Sequence, residues 1–192
     1  MAGVLLRNVR GRVARQAPVQ RNLAKTLAQI VVMWLAFLFA APMALYRLEE
    51  RLWHGRRGFA SPFWRCAGTL LFAAGGSLGL VSAWFMVTRG EGTPLPADAT
   101  RKLVVAGPYR YVRNPMAMGS FAQGIGVGLF LGSPLATAYA LAGAVGWNYL
   151  VRPWEEFDLE RRFGASYKEY ERHVRCWVPN LQPYEPEETG PA

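Results

Sequence analysis

The chain has 192 residues, of which 52% are hydrophobic, and a formal net charge of +9. This length allows one domain with enough chain for a core, but apolar runs such as IVVMWLAFLFAA (30–41) have no polar face and exclude an ordinary water-soluble helix bundle. The basic residues flank such runs, which is typical of anchors to anionic lipid headgroups rather than of a nucleic-acid surface.

Three windows of the chain contain no charged residue: 26–46, 66–88 and 114–151. A helix needs about 20 apolar residues to cross a bilayer, so each of the first two windows fits one crossing and the third fits two short ones. Gly and Pro in the segment 131–134 (LGSP) predict that the chain reverses there. We therefore predict an all-α integral membrane bundle of about four transmembrane helices.

The distribution of basic residues predicts the orientation of this bundle. Residues 1–25 hold six basic residues, and the connections 47–65 and 89–113 hold five each. With four crossings, 17 of the 22 basic residues fall on the side shared by both termini and the second connection. The excess of Lys and Arg places that side in the cytoplasm.

The sequence divides into a basic N-terminal segment (1–25), a membrane domain (26–181) and a tail (182–192) whose composition predicts disorder. Glycines repeat every four residues in two windows, a spacing that lets helices approach closely in lipid. No cluster with metal-ligand spacing is visible, because the cysteines and histidines are isolated from one another: Cys66, Cys176, His54 and His173.

The stretch VVAGPYRYVRNPMAMG (104–119) places arginines and tyrosines at the start of the third apolar window. Asn114 followed by Pro115 predicts a helix N-terminus, with the Asn side chain accepting from amides of the first turn. Arg110 and Arg113 lie beside this end, and together with its free amides they form a candidate anion site. The alternative is that both arginines only reach lipid headgroups.

The segment that follows the last window, RPWEEFDLERRFGASYKEYERHVRCWVP (152–179), predicts amphipathic helices that cap the cytoplasmic side. It contains an apolar stripe with spacings of four and three, interrupted by Gly164, where we expect a bend: Leu159, Phe163, Tyr167, Tyr170, Val174 and Trp177. Glu155 and Glu156 come just beyond the membrane, where a carboxylate is costly unless a cation meets it. They could instead be acids favoured by a helix dipole.

In this order and at these separations, GTPLP, the 104–119 stretch and the 152–179 segment resemble the membrane methyltransferases grouped with isoprenylcysteine carboxyl methyltransferase and the phospholipid N-methyltransferases. The resemblance covers residues 89–181. It implies an enzyme that binds S-adenosylmethionine on the cytoplasmic side, in a cell membrane that we expect to be bacterial. By this similarity the cofactor site contains Gly107, Tyr109, Arg113, Asn114, Pro115, Gly119, Glu155 and Glu156.

The charges of S-adenosylmethionine suit these residues. Its carboxylate, ammonium and sulfonium call for an anion site, a carboxylate and an aromatic face. Arg113 and the helix N-terminus can supply the anion site, and Glu155 or Glu156 can supply the carboxylate. The third matches Tyr109, Tyr111 or Trp154.

The catalytic residues are not defined by the resemblance, although Arg113 and Asn114 are candidates. The commonest family pattern has His in place of Asn114 and an aromatic residue in place of Ala117, and the second difference opens space in the pocket. Methyl transfer needs mainly alignment of donor and acceptor, and His173 is a weak candidate for a general base. The lack of a strong general-base candidate favours a lipophilic or amphiphilic acceptor that is already nucleophilic, such as a carboxylate or thiolate of a prenylated or similar compound.

Three alternatives remain at this point. The acceptor could be the amine of a phospholipid, the chain could be a non-catalytic membrane scaffold with the same fold, or it could be an oxidoreductase related to sterol reductases that uses a nicotinamide cofactor. The expected partners are the lipid bilayer and a lipophilic acceptor, without nucleic acid. The sequence does not define an oligomeric state.

Overall fold

The computed structural model describes residues 18–53, 61–93 and 99–186, and these contain helices and no β-strand. The parts of the predicted N-terminal segment, of the GTPLP motif and of the tail that fall in 1–17, 94–98 and 187–192 lie outside the described residues. The elements are α1 (Val19–Met33), a π-helical stretch (Trp34–Ala40), α2 (Ala41–Trp53), α3 (Pro62–Gly90), a 3-10 turn (Gly107–Arg110), α4 (Pro115–Leu131), α5 (Pro134–Gly146), a second π-helical stretch (Trp147–Val151), α6 (Arg152–Phe163) and α7 (Ala165–His173).

The reversal predicted at 131–134 is confirmed. Gly132 ends α4 in the left-handed conformation with φ of 67°, which costs glycine little. Ser133 then caps α5, because its hydroxyl accepts a hydrogen bond from the Ala136 amide at 3.1 Å. Ser133 also donates to the buried carboxylate of Glu49 in α2, so this end of α5 is tied to α2.

Glycines bring α3 and α4 into backbone contact at Gly75, a position of the predicted repeats, whereas the repeat predicted in α4 faces α5 instead. A Cβ added at Gly75 would lie 2.6 Å from the Gly119 carbonyl oxygen, and one added at Gly68 would lie 2.5 Å from the Gly126 carbonyl oxygen. No side chain fits in these gaps, so the two helices pack through their backbones. This packing fixes α4, and therefore the segment before it, relative to α3.

Gly68→Ala is expected to destabilise the fold, because its methyl group must push α4 away from α3. Overpacking of this kind costs about 1–3 kcal/mol. Gly79→Ala is the matched control: its Cβ would meet no atom within 4 Å, and alanine favours helix by about 0.5–1 kcal/mol. Thermal unfolding of detergent-solubilised protein should show opposite shifts, and a loss of stability in both variants would contradict this account of the helix contact.

Large apolar side chains cover the outside of the described helices. Two helices, Val19–Leu52 and Pro62–Gly90, are long and apolar enough to cross a membrane, and their apolar windows are only 6% and 28% buried. The outward residues include Leu35, Phe39 and Leu70, each at least 59% exposed. Such a continuous apolar surface is unfavourable in water and suits a lipid environment. The described chain is thus all-helical, with two candidate membrane-spanning helices.

Candidate active site

The segment before α4 is held against α3 and α7. Gly107 has φ of 56°, and a Cβ there would collide with the ring of Phe85 in α3, so this position requires glycine. Tyr109 is 6% exposed, and its backbone carbonyl accepts a hydrogen bond from the Tyr170 hydroxyl at 2.6 Å. The Tyr109 backbone is therefore tied to α7, and its side chain is buried.

The start of α4 is at Pro115 as predicted, but the predicted capping role of Asn114 is wrong. The Asn114 side chain makes no capping hydrogen bond; its Nδ2 donates to the sulfur of buried Cys176 at 3.2 Å. The reason is that the segment after α7 passes close to Asn114: the Arg113 amide donates to the Arg175 carbonyl at 2.9 Å. Asn114 therefore joins α4 to this segment.

The C-terminal helices cover the 104–114 segment. Gly164 separates α6 from α7, which confirms the predicted bend. Most of the predicted apolar stripe forms one cluster, in which Tyr167, Tyr170 and Val174 are buried and Leu103, Val105, Leu159, Phe163 and Tyr184 pack around them. Trp177 leaves the stripe and packs on Trp147 and Phe121, with ring centroids 5.4 and 6.1 Å away.

Residues 182–186, predicted as part of a disordered tail, instead contact the site. The Tyr184 amide donates to the Arg110 carbonyl, and Arg110 Nε donates back to the Tyr184 carbonyl, both at 2.9 Å. His173 is about half exposed and stacks on Tyr184 with ring centroids 5.1 Å apart. Arg110 therefore links the segment before α4 to the tail. His173 contacts Tyr184 and Glu169 rather than the predicted cofactor residues.

Arg113 is the electrostatic centre of the region. One of its terminal nitrogens lies 3.0 Å from Glu156 and 2.6 Å from Glu171 and donates to the Tyr167 hydroxyl at 3.2 Å. Burial alone would lower the pKa of Arg113, but Glu156 and the other partners raise it, so the side chain is charged. Arg113 therefore holds α6 and α7 against the loop, a role that the sequence did not indicate.

The two adjacent glutamates occupy different environments. Glu156 is bound by Arg113 and by Arg152, each at 3.0 Å. Glu155 makes no hydrogen bond or ion pair with any residue in the described ranges, and burial together with the charge of Glu156 raises the pKa of Glu155 to about 7. Of the two, Glu155 is the carboxylate that is available to a cation.

Two further polar atoms of the predicted site are buried without a partner in the described part of the chain: the Tyr109 hydroxyl and Arg113 Nε. Burial raises the pKa of Tyr109, with smaller effects from Tyr170 and Glu155, so the phenol is neutral. Unpartnered buried polar groups cost about 1–3 kcal/mol each unless a ligand or water meets them. Together with Glu155, these residues include both donors and an acceptor, the groups that a ligand carrying both charges, such as S-adenosylmethionine, would require.

The other predicted site residues divide by role. Pro115 is buried at the first turn of α4, and Gly119 lies at the contact with Gly75, so its small size already has a packing reason. Tyr111 is 40% exposed, which leaves Tyr109 as the better placed of the two tyrosines among the three candidate aromatic faces.

Sequence reasoning missed several residues that hold the region together. Asn148 accepts hydrogen bonds from Trp177 Nε1 at 2.8 Å and from Arg152 at 3.0 Å, and Glu171 and Tyr167 bind Arg113. A polar residue such as Asn148 inside an uncharged window was a usable signal, because lone polar groups at membrane depth need partners. Glu171 gave no signal that separated it from Glu169, the other acidic residue of α7.

Comparisons with known proteins identify relatives of this chain. Two relatives are "Probable protein-S-isoprenylcysteine O-methyltransferase" of Oryza sativa subsp. indica, 34% identical over 84 residues, and "Protein-S-isoprenylcysteine O-methyltransferase A" of Arabidopsis thaliana, 35% identical over 80 residues. The matches cover 42% and 40% of this chain. They span 42% and 39% of the two relatives, so the chain matches only about two fifths of their length. Because both are plant proteins, they do not support the expected bacterial origin. No solved structure matches the chain significantly.

A family model described as phospholipid methyltransferase matches residues 63–166. The match begins in the first turn of α3, includes the Arg113–Asn114 segment and both glutamates, and ends just after Gly164, so it contains most of the site described above. It covers more than half of the chain, and the resemblance found in the sequence is confirmed. The chain belongs to the phospholipid methyltransferase family.

Proposed function

We propose that the protein is a membrane methyltransferase that uses S-adenosylmethionine to methylate a lipophilic acceptor. The observation that carries the proposal is the unpaired Glu155 carboxyl, which interacts electrostatically with the buried Tyr109, whose hydroxyl is itself unpartnered in the described part of the chain. Family membership supports methyl transfer, and the composition of the site supports a ligand with both a cationic and an anionic group.

Three residues would contact the cofactor in this proposal. Glu155 would hold the α-ammonium or the ribose hydroxyls of the cofactor, and Arg113 Nε would donate to its carboxylate. The Tyr109 hydroxyl can donate to or accept from the ligand, and its ring can face the sulfonium. The cofactor, when bound, supplies an electrophilic methyl group. The residues of the chain then orient the two reactants and keep water away.

The acceptor favoured by the site is a carboxylate or thiolate. His173 faces Tyr184 and Glu155 is assigned to the cofactor, and an acceptor that is already deprotonated needs no general base. The relatives are named as isoprenylcysteine O-methyltransferases, and these names point to the same chemistry. The family description favours the second candidate, a phospholipid amine.

Methyl-labelled S-adenosylmethionine, incubated with membranes that contain the protein, tests the proposal. Label recovered as methanol after mild base treatment would identify a methyl ester, whereas label that survives base in a thioether or an amine would identify the other acceptors. Cofactor binding without any transfer would favour the scaffold alternative. Binding of a nicotinamide cofactor in place of S-adenosylmethionine would favour the reductase alternative.

We also propose that the chain crosses the membrane four times, with α6 and α7 on the cytoplasmic side. In a Cys66→Ala background, Lys102→Cys and Leu181→Cys are therefore expected to react with a thiol reagent confined to the cytoplasm, because both side chains are exposed and lie on the side rich in Arg. Ser61→Cys, at the start of α3, should react only from the other side. Labelling of positions 102 and 181 from opposite faces of the membrane would contradict the proposed four crossings.

The affinity for S-adenosylmethionine should decrease with falling pH. With its pKa raised to about 7 by burial and by Glu156, Glu155 takes up a proton as the pH falls and loses its attraction for a cation. Between about pH 7 and about pH 5.5, where the ligand's ammonium stays charged, we expect a decrease in affinity of about tenfold. Calorimetry should show this in the wild type and a flat profile in Glu155→Gln; a flat wild-type profile would contradict the role of Glu155.

A further inference from the structure

The segment after α7 (174–181) runs beside the start of α4 and is tied to it by backbone hydrogen bonds. The Arg113 amide donates to the Arg175 carbonyl at 2.9 Å, and the Asn180 amide donates to the Tyr111 carbonyl at 2.8 Å. None of the predicted cofactor residues lies in this segment. Its position is nevertheless coupled to the loop that carries Arg113.

Trp177 places the segment after α7 at the membrane boundary. Its ring packs on Trp147 and Phe121, with centroids 5.4 and 6.1 Å away. Phe121 lies in the second turn of α4, about 9 Å from the first residue along the helix axis. Trp side chains favour this level, where the apolar core of the bilayer meets the headgroups. Arg175, which is bonded to the residue before Asn114, therefore lies nearer the headgroups than Trp177.

Arg175 and Val178 are the exposed side chains on either side of Trp177. The Arg175 side chain makes no hydrogen bond or ion pair with any residue of the described ranges, whereas Arg172 is paired with Glu169 at 3.3 Å. Val178 is 56% exposed. A free cation close to an exposed apolar side chain at this depth is complementary to a lipid phosphate and the acyl chain below it.

We propose that Arg175 and Val178 bind an anionic phospholipid of the cytoplasmic leaflet. The guanidinium contacts the phosphate, which its planar fork can bind through two hydrogen bonds, and the valine packs on the first methylenes of an acyl chain. Anionic lipids give that leaflet its negative surface potential. Because the segment after α7 is hydrogen-bonded to Tyr111 and Arg113, the bound lipid stabilises its position beside the start of α4.

The inference goes beyond methyl transfer, since it concerns a lipid that is bound rather than methylated, and its test uses no S-adenosylmethionine. The full chain is placed in nanodiscs of phosphatidylcholine, alone or mixed with phosphatidylglycerol, whose two leaflets are equivalent. Hydrogen exchange of the peptide 178–186 is then measured by mass spectrometry. Its rate reports how often the Asn180 and Tyr184 amides lose their hydrogen bonds to the loop before α4.

In the wild type this exchange should be about fivefold slower with phosphatidylglycerol, which corresponds to about 1 kcal/mol for one basic residue at an anionic surface. Arg175→Gln should abolish the difference. Arg172→Gln is the matched control, because it removes the same charge from a side chain that is already paired, and it should keep the difference. Val178→Ser should speed exchange in both lipids and leave the effect of phosphatidylglycerol in place.

A phosphatidylglycerol with a diazirine near the start of its acyl chain tests the contact directly. It should crosslink to the peptide that contains Val178, and less so in Arg175→Gln. Inorganic phosphate added to phosphatidylcholine nanodiscs should not slow the exchange; if it does, Arg175 binds a soluble anion and the inference is wrong. Equal exchange of the wild type in the two lipids, or an effect of phosphatidylglycerol that survives Arg175→Gln, would also overturn it.

Discussion

Glu155→Gln is expected to weaken S-adenosylmethionine binding by about ten- to a hundredfold, the effect of losing one charge-assisted hydrogen bond worth about 1.5–3 kcal/mol. At the same time the variant should be more stable without ligand. Above pH 7 the ionised carboxyl is opposed by burial and by Glu156, as its raised pKa shows, and glutamine removes that cost, estimated at about 1–3 kcal/mol. Calorimetry and thermal unfolding near pH 8 measure both effects.

Glu156→Gln is the matched control, because the neighbouring carboxylate is already bound by Arg113 and Arg152. Its replacement should lower stability and should affect cofactor affinity only through that loss. The two adjacent substitutions therefore shift the melting temperature in opposite directions. If both variants behave alike in binding and in stability, the distinction that the structure draws between these residues is wrong.

Arg113→Met is expected to give the largest loss of stability. The substitution leaves Glu171 without its partner and Glu156 with only Arg152, in a region where Arg113 itself is 10% exposed. Removing one member of a buried ion pair costs about 3–5 kcal/mol, although the partial exposure of Glu171 reduces this to about 2–4 kcal/mol. The melting temperature in detergent should fall by about 10 °C.

Arg101→Met provides the control for Arg113→Met, since Arg101 lies 3.9 Å from the exposed Glu91 and should change stability little. Arg113→Lys separates the two roles of the side chain. Lysine can keep one carboxylate contact but lacks the fork that would also bind a ligand carboxylate, so we expect folded protein with weakened cofactor binding. Unchanged binding in folded Arg113→Lys would restrict Arg113 to a structural role.

The sequence alone predicted the features that depend on local chemistry. The start of α4 at Pro115, the reversal at Gly132 and the bend at Gly164 each follow from the backbone preferences of Pro and Gly, which act within a few residues. The glycine spacing likewise predicted close helix contact, and the two separated motifs predicted the family. These signals are local or repeated, so they can be read without knowing the packing.

Only the tertiary structure decided which polar groups are free. Glu155 and Glu156 are neighbours in sequence, but consecutive side chains leave a helix about 100° apart, and the packing of α6 determines which one meets Arg113. Asn114 had a local capping role available, and the passage of Cys176 beside it provided a different partner. In the sequence Gln123 is one polar residue in an apolar window, and only the packing of α3 shows that its amide lies against Gly76. Hydrogen-bond partners far apart in the chain depend on how the helices pack, which residue types and spacing do not determine.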